Sequence, residues 1–125
     1  MARPVSRTLT DGELRLMDVL WRRGASTVLE MQQALEAELA DSTIRTLLGV
    51  LEVKGYVVRE RSGRAHVYRA RVERSAERSR MVRQVVRRFF RSPADLVLNL
   101  LDAGELDAKE LDRIRRAIER RERSK

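Results

Sequence analysis

Two hydrophobic periods meet at Gly55, and their order constrains the fold more than any other feature of the chain. Before Gly55, apolar residues recur at helical spacing in three blocks, each with its own start signal. Thr10-Asp11-Gly12-Glu13 reads as a capping box, with Thr10 as N-cap and Glu13 reaching back. Leu14, Met17 and Trp21 follow, with Leu16 and Leu20 beside them, and Gly24 closes a helix predicted over Asp11–Arg23. Thr27-Val28-Leu29-Glu30 is a second box, and Val28, Met31, Ala34 and Leu35 predict a helix from Val28 to Glu38. Asp41 or Ser42 is the expected cap of a third helix, in which Ile44, Leu47, Leu48 and Leu51 sit at i, i+3, i+4 and i+7. After Gly55 the pattern changes. Tyr56-Val57-Val58-Arg59-Glu60 and Ala65-His66-Val67-Tyr68-Arg69 are rich in β-branched and aromatic residues, and Arg61-Ser62-Gly63-Arg64 between them reads as a four-residue loop. Three helices followed by a basic hairpin is the order of a winged helix-turn-helix domain.

The remainder reads as helical. A long helix is predicted from Glu73 to Phe90, carrying Met81, Val82, Val85, Val86, Phe89 and Phe90 among many arginines. Ser92 caps a new helix with Pro93 at its first position. Leu96, Val97, Leu98, Leu100 and Leu101 make it apolar nearly all round, so it is expected to be buried, and Gly104 stops it. Asp107-Ala108-Lys109-Glu110 resembles a further box, before Leu111, Ile114 and Ile118. Arg120 to Lys125 are expected to fray. The expected class is therefore mainly α with a small β-hairpin wing. Its expected organisation is a flexible tail at 1–8, a winged helix at 9–71, a helical dimerisation region at 72–121 and a frayed end at 122–125. A piece of roughly 50 residues cannot easily bury a core of its own. A second copy of the chain would supply the missing burial through Val82, Val85, Val86, Phe89, Phe90, Leu96, Val97, Leu100, Leu101, Leu111, Ile114 and Ile118.

The charge distribution points to the other partner. The 125-residue chain has a formal net charge of +8, and between Lys54 and Arg91 it carries 13 Lys/Arg against 3 Asp/Glu. The rest carries 14 basic and 16 acidic residues, so the whole excess lies in the centre. A concentrated positive field attracts a polyanion, most commonly nucleic acid. A solvated Arg-rich helix face has the same charge, as does a chain lying on anionic lipid, although the latter calls for bulky apolar residues over a whole helix face. The absence of cysteine excludes a disulfide framework, a zinc finger and a thiol nucleophile, and fits a reducing cytoplasm. The N-terminus has no apolar h-region, and no apolar run is long enough to span a bilayer. No metal, cofactor or catalytic constellation is expected, and an enzyme is the class least supported. His66, the single histidine, is placed on a wing strand, and Trp21, Tyr56 and Tyr68 are assigned to packing. Asp11, Glu13, Glu30 and Glu110 are assigned to helix capping.

With Ile44, Leu47, Leu48 and Leu51 turned inward, Ser42, Thr46, Gly49 and Val53 face outward, flanked by Arg45 and Val50. Ser42, Thr43, Arg45 and Thr46 lie at the N-terminal end, the part of a recognition helix that enters the major groove. Hydroxyls can bond base edges or phosphates, Arg45 can pair with guanine or a phosphate, and Gly49 admits close backbone approach. Arg61 and Arg64 flank the hairpin tip, where they can grip a phosphate backbone or enter a minor groove. An exposed helix face with no partner would look the same, but the basic hairpin directly after it favours DNA.

These stretches also carry a resemblance. Leu9-Thr10-Asp11-Gly12-Glu13, Val19-Leu20-Trp21, Thr43-Ile44-Arg45-Thr46-Leu47-Leu48, Lys54-Gly55-Tyr56-Val57, Gly63-Arg64-Ala65-His66-Val67-Tyr68 and Leu96-Val97-Leu98-Asn99-Leu100, in that order, resemble the penicillinase and methicillin-resistance repressors of the BlaI/MecI/CopY family. The resemblance implies a cytoplasmic homodimer that represses transcription from a palindromic double-stranded DNA operator. In the antibiotic-responsive branch it implies relief by a membrane sensor-protease system that leads to cleavage near the dimerisation region. Three features depart from the family. The Cys-x-Cys copper site is missing, Asn99-Leu100 stands where the cleaved Asn-Phe bond is typical, and Val50 and Ala40 stand where a polar residue and a serine cap are common. Asn99 in its apolar run reads either as a buried amide or as part of a protease-recognition site. The rival readings are a nonspecific architectural or RNA-binding protein, a module for an acidic protein partner, and a ligand-sensing repressor of another winged-helix family.

Overall fold

A computed structural model describes residues 8–124, so the tail expected at 1–8 lies outside the described residues except for Thr8, as does Lys125. The chain divides into two compact units, the first ending at Met81 and the second beginning at Val82. The element order is α1 (Asp11–Arg23), α2 (Val28–Ala34), α3 (Asp41–Lys54), β1 (Val57–Ser62), β2 (Ala65–Ala70), α4 (Arg74–Phe89), α5 (Pro93–Asp102) and α6 (Ala108–Arg123). No helix among the described residues is long and apolar enough to cross a membrane.

Local chemistry sets the helix starts. In α1 the Glu13 N–H donates to Thr10 Oγ1 at 3.3 Å and the Thr10 N–H donates to Glu13 Oε1 at 3.0 Å. Thr27 and Glu30 close the same reciprocal pair on α2, and Asp107 and Glu110 close it on α6. Such a box satisfies two N–H groups that a helix start otherwise leaves without partners. The third helix differs from expectation. Its N-cap is Ala40, without a side-chain cap bond, and Asp41 is already helical, so neither Asp41 nor Ser42 caps it. The second helix is shorter than expected, ending at Ala34 rather than Glu38. Glu36 and Ala37 take φ of 53° and 60°, and their N–H groups close on the carbonyls of Gln33 and Gln32. Left-handed backbone ends a right-handed helix, and side chains of this kind give no warning of it.

The first unit holds the core. Leu16, Met17, Val19 and Leu20 of α1 pack with Val28 and Met31 of α2, Ile44, Leu48 and Leu51 of α3, and Tyr56, Val57 and Tyr68 of the hairpin. Leu14, expected on the inner stripe, is instead 47% exposed, and Val19 takes the inner position. A Cβ on Gly12 would lie 3.1 Å from Leu47 Cδ1, which marks close approach of α1 and α3. The strands pair antiparallel from Val57↔Ala70 to Ser62↔Ala65, so only Gly63 and Arg64 form the turn, in place of the expected four-residue loop. Gly63 at the first turn position has φ 63°, as a two-residue II′-type hairpin requires. Ser26 and Tyr68 exchange both backbone hydrogen bonds, at 3.0 and 2.8 Å, and so pin the hairpin to the α1–α2 connection.

The second unit has no buried side chain among its described residues. The run on α5, expected to be buried, is half-buried at Leu96 and open at Val97, Leu98, Leu100 and Leu101 in the single chain. Asn99 is also exposed, so the reading as a buried amide does not hold within one chain. The last helix continues to Arg123, past the start of the end expected to fray at Arg120.

Candidate nucleic-acid interface

The helix α3 is fixed from behind. Ile44, Leu48 and Leu51 are fully buried, and Lys54 in its last turn donates to Glu13 Oε1 at 2.6 Å and to the Thr8 carbonyl at 2.9 Å. Both charged side chains are buried, at 7% and 3% exposure. Glu13 therefore does two jobs, closing the α1 cap and neutralising a lysine that comes from 41 residues away. The sequence alone supplied only the first.

The opposite face is open. Ser42, Thr43, Arg45, Thr46 and Gly49 are all exposed, and Ser42, Thr43 and Thr46 line a shallow depression beside Leu47. Thr46 Oγ1 donates to the Ser42 carbonyl at 3.0 Å, which fixes its rotamer and leaves oxygen lone pairs to accept from a base or a bound water. A Cβ at Gly49 would meet no atom within 4 Å among the described residues, and no packing among them demands glycine there. Arg45 Nε donates to Asp41 Oδ2 at 2.8 Å, and this bond raises the guanidinium further above its ordinary range. Val53 is 70% exposed on the same outer side.

The hairpin adds positive charge. Arg59 and Arg61 lie on β1 and Arg64 at the turn, all exposed, and among the described residues none of them has a carboxylate within ion-pair distance. Arg61 Nε donates to the Gly63 carbonyl at 3.3 Å, which holds its side chain at the tip. Arg69 is neutralised by Glu60 at 2.8 Å. His66 pairs with Arg61 across the strands and is exposed.

Tyr56, assigned by sequence to packing, also has a polar partner. Its buried hydroxyl donates to Glu77 Oε2, and Arg80 donates to Glu77 Oε1 at 2.8 Å and to the Tyr56 oxygen at 2.9 Å. Burial, then the bond to Glu77, pushes the phenol up to about 12, so Tyr56 remains a neutral donor at physiological pH. These bonds tie the start of α4 into the first unit, as do the Trp21 Nε1 donation to the Val72 carbonyl at 2.8 Å and Arg74 lying 5.4 Å over the Trp21 ring. That is why the unit extends to Met81.

Of the residues assigned by sequence to self-association, Val82, Val85, Phe89, Val97, Leu100, Leu101, Leu111 and Ile118 are exposed. Val86, Phe90, Leu96 and Ile114 are half-buried. Phe89 stands out at 77% exposure, and Leu98, left out of that set, is 54% exposed.

Three comparisons bear on this arrangement. The family model described as penicillinase repressor matches residues 9–120. The methicillin resistance regulatory protein MecI of Mammaliicoccus sciuri, and that of Staphylococcus aureus strain N315, are each 22% identical over 117 residues, covering 90% of this chain and 94% of theirs. The solution structure of the DNA binding domain of the repressor BlaI superposes with a TM-score of 0.51 at 26% identity, over 60% of this chain and 93% of that one.

Proposed function

Because the chain belongs to the penicillinase repressor family, we propose that it is a sequence-specific DNA-binding transcriptional repressor, acting in the cytoplasm as a homodimer on a palindromic operator. The observation that carries this reading is the two-sided α3: fully buried at Ile44, Leu48 and Leu51, and open and polar along Ser42, Thr43, Arg45, Thr46 and Gly49. Such a helix is held rigidly enough to present its N-terminal residues to a major groove. The wing arginines Arg61 and Arg64 contact phosphates, and the exposed apolar faces of α4, α5 and α6 close on a second copy.

Relief of repression by proteolysis fits the exposure of Asn99 and Leu100. The Asn99 carbonyl accepts from the Ala103 N–H at 3.0 Å, so a protease that needs extended chain must first open this end of α5.

Two substitutions test the assignment of roles. Thr46→Ala is expected to lower the preference for operator over random duplex by about 1–3 kcal/mol. Arg61→Ala is expected to weaken binding to both duplexes alike and to reduce the slope of log affinity against log salt by about 1. Competition titrations at several salt concentrations give both quantities. A Thr46→Ala protein with an unchanged operator-to-random ratio would move the reading face elsewhere.

A further inference from the structure

The row Asp41, Arg45 and Gly49 runs along the open side of α3 at successive helical turns. In the middle of it, Arg45 donates through Nε to the carboxylate one turn before it, and among the described residues neither Nη group has a hydrogen-bond or ion-pair partner. Asp41 lies in the first turn of α3, a helix whose N-cap Ala40 makes no side-chain cap bond. One turn beyond, Gly49 has no side chain and adds nothing that would close over the guanidinium. We propose that Asp41 is a positioning residue that makes Arg45 a reader of guanine at one position of each operator half-site. The inference rests on α3 being the DNA-reading helix.

The chemistry follows from which donors are used. A guanidinium has five N–H donors in a rigid plane, and an unrestrained exposed arginine can turn any of them to a phosphate. Engaging Nε leaves the two Nη groups as a fork of parallel donors on the outer edge. In the major groove only guanine offers two adjacent acceptors, O6 and N7, to such a fork. Adenine places a donor beside its N7, thymine offers O4 alone, and cytosine offers a donor. The carboxylate acts a second way. It cancels the charge of Arg45 towards distant phosphates, so the pair contributes little to sequence-independent attraction and concentrates its effect on the base edge. A merely structural i,i+4 ion pair on a solvated helix would change neither base preference nor nonspecific binding.

The test is a competition titration of the full-length protein on its selected duplex, with each base pair of one half-site replaced in turn by the other three. The unmodified protein is expected to prefer guanine at one position by about tenfold or more. Arg45→Ala should abolish that preference. Asp41→Ala should remove most of it at the same position only, while affinity for random duplex stays level or rises, because the freed arginine then grips phosphates. Asp41→Asn, whose amide oxygen still accepts from Nε, should retain part of the preference, and an unchanged urea midpoint shows that the variants are folded. Asp41→Ala with full guanine preference overturns the proposal, as does Arg45→Ala that weakens all sequences equally. An unmodified protein indifferent to every base pair overturns the reading of α3 itself, and the inference falls with it.

Discussion

Aspartate at both Val97 and Leu101 is expected to leave the protein monomeric and to lower its affinity for a two-half-site operator by about 10²–10⁴-fold. The two residues lie one helical turn apart on α5 and are 45% and 41% exposed, so they share a face that the described residues leave partly open. Burying a Val or Leu side chain is worth about 1.5–3 kcal/mol. A symmetric interface uses each position twice, and a carboxylate in its place adds a desolvation cost. The winged helix should survive, because every buried core residue from Leu16 to Tyr68 lies in the first unit. Half-site binding should therefore remain while the linked gain of a second half-site disappears. Sedimentation equilibrium gives the mass, and titration on one-site and two-site duplexes gives the affinity ratio. A variant that stays dimeric would place the interface outside α5.

The second large effect concerns stability. Lys54→Met is expected to destabilise the first unit by about 3–5 kcal/mol, because it strands the Glu13 carboxylate in a buried site. For a unit of this size that corresponds to a fall in Tm on the order of 15 °C or more. The double change Glu13→Gln with Lys54→Met should recover most of the loss. A glutamine at that position still closes the capping box with Thr10, and the stranded charge is gone. Urea titrations of the three proteins decide the point. A loss below about 1 kcal/mol for Lys54→Met would mean that water solvates Glu13 well enough to make its partner dispensable.

What the sequence made legible was local. The capping boxes at Thr10, Thr27 and Asp107, the stop at Gly55 and the stripe of Ile44, Leu48 and Leu51 all depend on residues within a turn or two of each other, and they located the helices and the outer face of α3. What it hid was either unmarked by residue type or distant along the chain. Glu36 and Ala37 end α2 by backbone angles that neither residue advertises. The Ser26–Tyr68 bridge, the Glu13–Lys54 pair and the Tyr56–Glu77–Arg80 cluster join residues that only the packed domain brings together. Asp41 is a different case. Its i,i+4 relation to Arg45 was visible, but an acidic residue before an apolar stripe reads first as a cap. The fate of the α5 apolar run was also out of reach, since a helix apolar nearly all round calls for burial without saying whether the covering surface belongs to the same chain.

A dimer in which α3 reads base sequence must select particular duplexes over others. Selection of binding sites from a random duplex pool, by the full-length protein at near-physiological salt, tests it most directly. The expected result is a palindrome whose half-sites lie about one helical turn apart or a multiple of that. Duplexes without a shared motif, recovered by a protein shown to be folded, would contradict it and leave the basic centre of the chain as a sequence-independent binder.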